Sequence, residues 1–261
     1  MECGQAFIEM ENVSVAQGDA VVLHGISLRL QAGEHVAILG PNGCGKSTLI
    51  DTLTCRKYPV VQAGSQLQIF GRERWDLMEL RRHLGIVASE LPGERTPRAT
   101  GRDAVLSGFF ASATVWPYQR VTPAMRERAD AVIEQLGVTH LAEKRVGHMS
   151  AGEKKRILIG RALVHAPRVL LLDEPGNALD LAAQRELRAT LSRLARQGIG
   201  ILLVTHHLAD IIPEIDRIVM MQAGRIVADG KKSELLTPRN LERLFGVPVD
   251  LAAHRGFYHA W

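Results

Sequence analysis

Cysteine is scarce in this chain. Cys3, Cys44 and Cys55 are the only three in 261 residues, and no two stand in CxxC spacing. That scarcity excludes a disulfide framework and a cysteine-built zinc site, and it fits free thiols in a reducing compartment. Long apolar runs are missing as well. A membrane-crossing helix needs about 20 successive apolar residues, whereas the longest stretches here, Val169 to Leu172 and Ile199 to Val204, are short and strand-like. The first residues, Met1-Glu2-Cys3-Gly4-Gln5, show no basic start leading into an apolar stretch, so no secretory signal is expected and a cytoplasmic location is. Neither sign of charge dominates: 32 Lys and Arg against 28 Asp and Glu leave +4. A phosphate-rich ligand, an anionic membrane surface or nucleic acid would all be tolerated, and charge does not choose among them. Repeats and low-complexity segments are absent. What remains, 46% hydrophobic and 23% charged residues, is the composition of an ordinary globular protein long enough for one large domain with a subdomain.

Against that plain background one motif stands out. Gly40-Pro41-Asn42-Gly43-Cys44-Gly45-Lys46-Ser47-Thr48 is a complete GxxxxGKST phosphate loop. The apolar run Val36-Ala37-Ile38-Leu39 before it reads as a buried strand, and Lys46 to Thr54 reads as the start of a helix. In that context successive backbone N–H groups wrap a polyphosphate, and the helix N-terminus adds roughly half a positive charge. Lys46 is expected to reach the β and γ phosphates and Ser47 to ligate Mg²⁺. Cys44 sits inside the loop, where amide dipoles can lower a thiol pKa; an unreactive thiol at a permissive position is the plainer expectation.

Around this loop the pattern predicts an α/β chain. Residues up to 35 alternate apolar and polar positions, with turns at Gly18-Asp19 and Gly33-Glu34, and predict antiparallel strands. Leu67 to Phe70 and Leu84 to Ala88 read as strands, with a helical turn at Glu79 to Arg82. From Ser89 to about Lys155 the pattern turns helical: Thr100 or Gly101 starts one helix, and Thr122-Pro123 opens another that stops at Gly137. Alternation then resumes with strand Val169 to Leu172, helix Leu181 to Gln197, strand Ile201 to Val204, and strands at Arg217 to Met221 and Arg225 to Ala228; Gly246 to Trp261 predicts a short strand pair. The expected fold is a P-loop NTPase, RecA-like, with a mostly parallel sheet. It adds an N-terminal antiparallel β subdomain and an inserted α-helical subdomain. The expected division puts residues 1–88 and 157–261 in the ATP-binding core and 89–156 in the helical insert.

Asp173-Glu174 closes the apolar strand from Val169, giving an acidic pair where a P-loop nucleotidase holds Mg²⁺ with the Asp and polarises the attacking water with the Glu. Met149-Ser150-Ala151-Gly152-Glu153 resembles the LSGGQ signature of the ATP-binding cassette family. Asn177-Ala178-Leu179-Asp180 resembles its D-loop, and Thr205-His206 its switch histidine. Five motifs in order extend the resemblance over essentially the whole chain. It implies that two cassettes face each other and trap ATP between the P-loop of one and the signature of the other. Ser150, Ala151, Gly152, Glu153 and Asp180 would then serve the partner's ATP, while Glu174, His206 and Lys46 carry catalysis at the chain's own site. A helix from Glu153 to His165 would aim its positive end at a γ-phosphate.

Three places depart from the family pattern. Gln17 stands where an adenine-stacking aromatic is usual, which predicts weaker or less selective base binding unless Phe7 or another ring substitutes. Ser89 replaces the Q-loop glutamine that senses the γ-phosphate and signals to a membrane subunit, though its hydroxyl still suits a water-mediated contact to Mg²⁺. Ala151 replaces the first signature glycine. Phe109, Phe110, Trp116 and Tyr118 read as core filler or, if exposed, as a docking patch. Lys154-Lys155-Arg156 reads as a solvated helix face, with phosphate or nucleic acid as the alternative. No NKxD guanine-reading motif favours a GTPase.

The resemblance thus implies Mg²⁺-dependent ATP hydrolysis by a homodimer or paired cassette. Two roles for that energy stand open. One is the ATP-binding subunit of a transporter, peripheral on the inner face of the membrane and attached to separately encoded membrane-spanning subunits. The stretch Leu236-Thr237-Pro238 to Phe245-Gly246-Val247-Pro248-Val249 resembles iron-siderophore importer cassettes. The other is a soluble cassette that regulates or remodels ribosomes or nucleic acid. Ser89 and the stretch Val105-Leu106-Ser107-Gly108-Phe109-Phe110, which resembles molybdenum-type and other cassettes, lean that way.

Overall fold

The computed structural model describes residues 6–87, 99–112 and 114–261. In chain order its elements are β1 (Ala6–Gln17), β2 (Ala20–Gln31), β3 (His35–Leu39), α1 (Lys46–Leu53), β4 (Gln66–Ile69), α2 (Leu77–His83), β5 (Leu84–Val87), α3 (Gly101–Leu106), α4 (Pro123–Gln135) and α5 (Ala151–Leu163). There follow β6 (Val169–Asp173), α6 (Leu181–Arg196), β7 (Gly200–Thr205), β8 (Arg217–Gln222), β9 (Arg225–Lys231), α7 (Lys232–Leu235), α8 (Pro238–Phe245), β10 (Leu251–His254) and β11 (Phe257–Ala260).

Six strands make the central sheet in the order β5-β6-β7-β3-β8-β9, parallel throughout except for the β8–β9 hairpin. The interior strands β6 and β7 are apolar almost throughout because both of their faces are covered, whereas the edge strand β9 alternates half-buried and exposed positions. In β6 the side chains alternate between two cores: Val169 and Leu171 face the cluster that contains Leu49 and Leu53 of α1, while Leu170 and Leu172 face the one that contains α5 and α6. Each such fully buried leucine contributes about 1.5–3 kcal/mol. β2-β1-β4 form a separate antiparallel sheet. It closes over α1, with Phe7, Ile8 and Leu30 in the same core as Ile38 and Val204. The predicted α/β architecture is the one observed.

The helical arm occupies the described residues 99–163. Thr100 caps α3 through a reciprocal box with Asp103, and Thr122 caps α4 with Pro123 at its first position, where a missing N–H costs nothing. α5 begins at Ala151, two residues earlier than its pattern suggested, because Ser150 caps it: Ser150 Oγ accepts from Glu153 N (3.2 Å) and the Glu153 carboxylate accepts from Ser150 N (2.8 Å). The expected division between residues 156 and 157 falls inside this helix. The C-terminal hairpin β10–β11 packs on the turn Leu208–Asp210. No helix among the described residues is long and apolar enough to cross a membrane.

Candidate functional site

Three neighbouring parallel strands deliver the site. β3 lies beside β7 with Leu39 opposite Thr205, and β7 lies beside β6 with Val204 opposite Asp173. The phosphate loop, the acidic pair and Thr205-His206 therefore leave the sheet together at its carboxyl edge, where open parallel sheets hold their ligands.

Gly40 to Thr48 turn from β3 into α1. Gly45 has φ +103°, and a Cβ there would come 2.8 Å from Leu23 Cδ2, so both conformation and space call for glycine. Lys46 is 5% exposed and donates from Nζ to Gly40 O (2.8 Å) and Pro41 O (3.0 Å), with Glu174 Oε1 at 3.8 Å. Ser47 is exposed at the second position of α1. Cys44 is buried, and burial pushes its thiol above the ordinary value despite Lys46 and the loop amides. The plainer expectation for this cysteine is therefore the one the structure matches: it is packing.

Asp173 ends β6. Burial and the adjoining Glu174 charge push its carboxyl up, against the opposing pull of Lys46 and Lys155. Glu174 has φ +43°, a left-handed conformation that costs a non-glycine residue on the order of 1 kcal/mol, and its N–H donates to Val204 O (2.8 Å). His206 Nδ1 and Glu174 Oε1 are 2.8 Å apart, His206 donating in the tautomer protonated at Nδ1, and Asn177 Nδ2 donates to Glu174 Oε2. Burial alone would raise the Glu174 carboxyl; the hydrogen bonds from His206 and Asn177, with the charges of His206 and Lys46, outweigh it and leave the group below its ordinary value. The result is an ionised, doubly held carboxylate beside a lysine.

The other predicted residues make their contacts elsewhere. Ser150 and Ala151 are exposed and Gly152 half-buried on the helical arm; among the described residues no hydrogen bond or ion pair joins 150–153 to the phosphate loop. Gly152 packs on α6, since a Cβ there would meet Ala183 Cβ at 2.7 Å. Glu153, besides capping, takes the Lys144 ammonium at 2.7 Å. Asp180 caps α6 by accepting from Ala183 N (2.8 Å). Ser89 lies outside the described residues.

Gln17 and the ring alternatives are placed clearly. Gln17 Oε1 accepts from Lys57 Nζ (2.9 Å), while Phe7 is buried in the core against Phe70. The aromatic group divides: Phe109 packs on the core and edge-on to His165, whereas Trp116 and Tyr118 are exposed. The reading of Lys154-Lys155-Arg156 as a solvated face is corrected. Lys155 is 6% exposed on the inner side of α5, and Arg156 pairs with Glu186 at 3.2 Å, because α5 is covered by α6 and by the carboxyl edge of the sheet. Sequence reasoning missed Asp210, a buried carboxylate, and the hold of Asn177 on Glu174; neither has a local signal beyond its neighbourhood to a motif.

The donor set fits magnesium. Among the described residues no three His, Cys, Asp or Glu side chains cluster to make an all-protein metal site. Asp173 and Ser47 would supply the few protein oxygens that Mg²⁺ needs, its remaining ligands coming from phosphate and water.

Known proteins extend this picture. A family model described as ABC transporter matches residues 23–177. The hemin import ATP-binding protein HmuV of Bordetella bronchiseptica is 34% identical over 258 residues, covering 95% of this chain and 95% of that protein. Of solved structures, cbiO1 from Clostridium perfringens, part of the transporter complex cbiONQ, has a TM-score of 0.76 at 28% identity, covering 92% of this chain and 94% of that one. The dimeric structure of MJ0796, a bacterial ABC transporter cassette, has a TM-score of 0.69 at 25% identity over 86% of this chain and 98% of that one.

Proposed function

Because the chain belongs to the ATP-binding cassette transporter family and is an ATP-hydrolysing subunit of that kind, we propose that it powers import of a metal chelate through separately encoded membrane subunits, seated on the inner face of the membrane. The cargo class rests on what the HmuV relatives import by name, and the need for partners on the lack of a membrane-crossing helix among the described residues. The comparisons lend nothing to a role on ribosomes or nucleic acid.

The observation that carries the hydrolytic reading is the triad of Glu174, His206 and Lys46 at the carboxyl edge of β6, β7 and β3. In this reading residues 40–48 wrap the phosphates with backbone N–H groups, and Lys46 leaves the Gly40 and Pro41 carbonyls for the β and γ oxygens. Ser47 and Asp173 hold Mg²⁺, which when bound neutralises developing phosphate charge. Glu174, ionised and fixed by His206 and Asn177, orients the attacking water; His206 keeps that carboxylate aimed and faces the terminal phosphate. The signature tip, Ser150 to Glu153, and the Asp180 turn meet the ATP of a second cassette; the absence, among the described residues, of a hydrogen bond or ion pair from that tip to its own phosphate loop and the dimeric form of a relative support this reading. The same reading assigns residues 89–156 to the helical subdomain and the rest to the ATP-binding core.

Glu174→Gln tests it. The variant keeps the shape of the site and loses the carboxylate, so ATP binding persists while turnover falls by about 10²-fold or more and an ATP-bound dimer accumulates in size-exclusion chromatography. Turnover at the level of the unaltered chain would remove Glu174 from its assigned role.

A further inference from the structure

We propose that Asp210 is a positioning residue for ATP hydrolysis, its buried carboxylate bracing the turn that carries His206 against the turn that carries Glu174. The proposal rests on the reading of those two residues given above.

β6 and β7 run side by side until Glu174 N donates to Val204 O, and both chains then turn away from the sheet. One turn is closed by Asn177 N on Glu174 O and Leu179 N on Gly176 O, the other by Asp210 N on His207 O. Left to themselves these are two independent surface turns. Yet Glu174 and His206 must meet at 2.8 Å, and a carboxylate misplaced by about 1 Å forfeits much of its effect on a reaction.

Asp210 joins them. It is 5% exposed, and its Oδ2 accepts from Thr205 Oγ1 (3.0 Å). The same hydroxyl oxygen accepts from His207 N (2.9 Å). The hydroxyl and the carboxylate thus clamp the backbone on both sides of His206. The other face of the carboxylate lies on the Glu174 turn: a Cβ on Gly176 would stand 2.2 Å from Asp210 Oδ1, 2.8 Å from its Cγ and 2.9 Å from its Oδ2. Gly176 does not have the positive φ that would demand glycine, so the residue is small because the carboxylate occupies the place of its side chain. Arg188 from α6 fixes the same switch turn from outside, donating to Ala209 O at 2.8 Å. Burial pushes the Asp210 carboxyl up, Thr205 and the nearby His207, Arg188 and His206 charges pulling the other way. A buried carboxylate with one side-chain donor is a costly way to fill space that an apolar residue would fill better. Its geometry supplies the compensating reason: it touches both turns at once.

The test is a cycle of Asp210→Ala, Gly176→Ala and the double variant, with ATPase kcat and KM, ATP affinity, and melting temperature measured for each. Either single change lowers kcat at least about tenfold while KM and ATP affinity stay within about twofold, because the phosphate loop is untouched. The double variant is no slower than the slower single one, since the methyl that Gly176→Ala introduces enters the space that Asp210→Ala vacates. Asp210→Asn, which keeps the shape and an acceptor for Thr205, recovers most of the turnover lost in Asp210→Ala. Should Asp210→Ala fail to fold, Thr205→Val, nearly isosteric, removes the same donor and lowers kcat alone. Undiminished kcat in Asp210→Ala or Thr205→Val, or losses that multiply in the double variant, overturns the brace. Failure of the underlying reading looks different: Glu174→Gln would then turn over normally, whereas failure of the brace leaves Glu174→Gln inactive and Asp210→Ala active.

Discussion

Gln17 stands two residues beyond Val15 on β1, about 7 Å along the strand, and Val15 pairs with Leu23, which touches the phosphate loop at Gly45. The hairpin tip therefore lies on the side of the phosphate loop, and what Gln17 offers there is an amide whose oxygen already accepts from Lys57. Phe7, the substitute named above, is buried in the core. Gln17→Tyr is accordingly expected to tighten ATP binding by about 1–3 kcal/mol, roughly 5- to 150-fold in Kd. Calorimetry in the Glu174→Gln background reads this without hydrolysis; an unchanged Kd would mean that some other group already holds the base. At this scale the sequence was most legible where chemistry is contiguous. Residues 40–48, 173–174 and 205–206 each extend an apolar strand, so the strand locates the motif and the motif explains the strand. Asp210 and Lys155 escaped because each is defined by what a distant segment packs against it, the Asn177–Glu174 bond because it depends on the left-handed turn at Glu174, and Cys44 was ambiguous because burial outweighed the loop amides.

The signature helix shows how an element is fixed by its first turn. Ser150 and Glu153 satisfy two of the N–H groups that α5 leaves open, and Lys144 adds a charged partner to the same carboxylate. Lys144 hydrogen bonding is the main reason the Glu153 carboxyl sits below its ordinary value, outweighing its burial. Glu153→Ala therefore costs about 1 kcal/mol of stability at neutral pH. The sign of its pH dependence follows from linkage. A carboxylate whose pKa is lower folded than unfolded contributes in full above the unfolded value and loses that contribution as pH falls through the folded one. The stability gap between the two proteins, measured by urea unfolding, is expected to close on acidification below the ordinary glutamate range; a gap constant with pH would show that the ion pair contributes nothing. Caps of this kind made helix starts legible, as at Thr100 and Thr122. The start of α5 was set two residues late because Ala151-Gly152 carry no apolar periodicity, only the capping side chains on either side of them.

For the whole molecule, strand-helix alternation announced a parallel sheet, but the order β5-β6-β7-β3-β8-β9 is a matter of which strands pair, and pairing leaves no mark in a single strand's composition. That order is what puts the phosphate loop, the acidic pair and Thr205-His206 at one edge, while the signature opens α5 in the helical part of the chain. If the arm completes the site of a second copy, each of two active centres in a twofold dimer draws on both chains. The arrangement permits a complementation experiment. Lys46→Ala disables a chain's own phosphate loop but leaves its signature intact; Ser150→Arg blocks the signature with a bulky cation but leaves the phosphate loop intact. Each variant alone is expected to be inactive. Mixed in equal amounts, half of the dimers carry one of each, and every such dimer has one wholly intact centre, so about a quarter of normal activity returns if centres work independently. Sites that lay within single chains would give no recovery at any mixing ratio, and the steady-state phosphate release of the mixture separates the two cases.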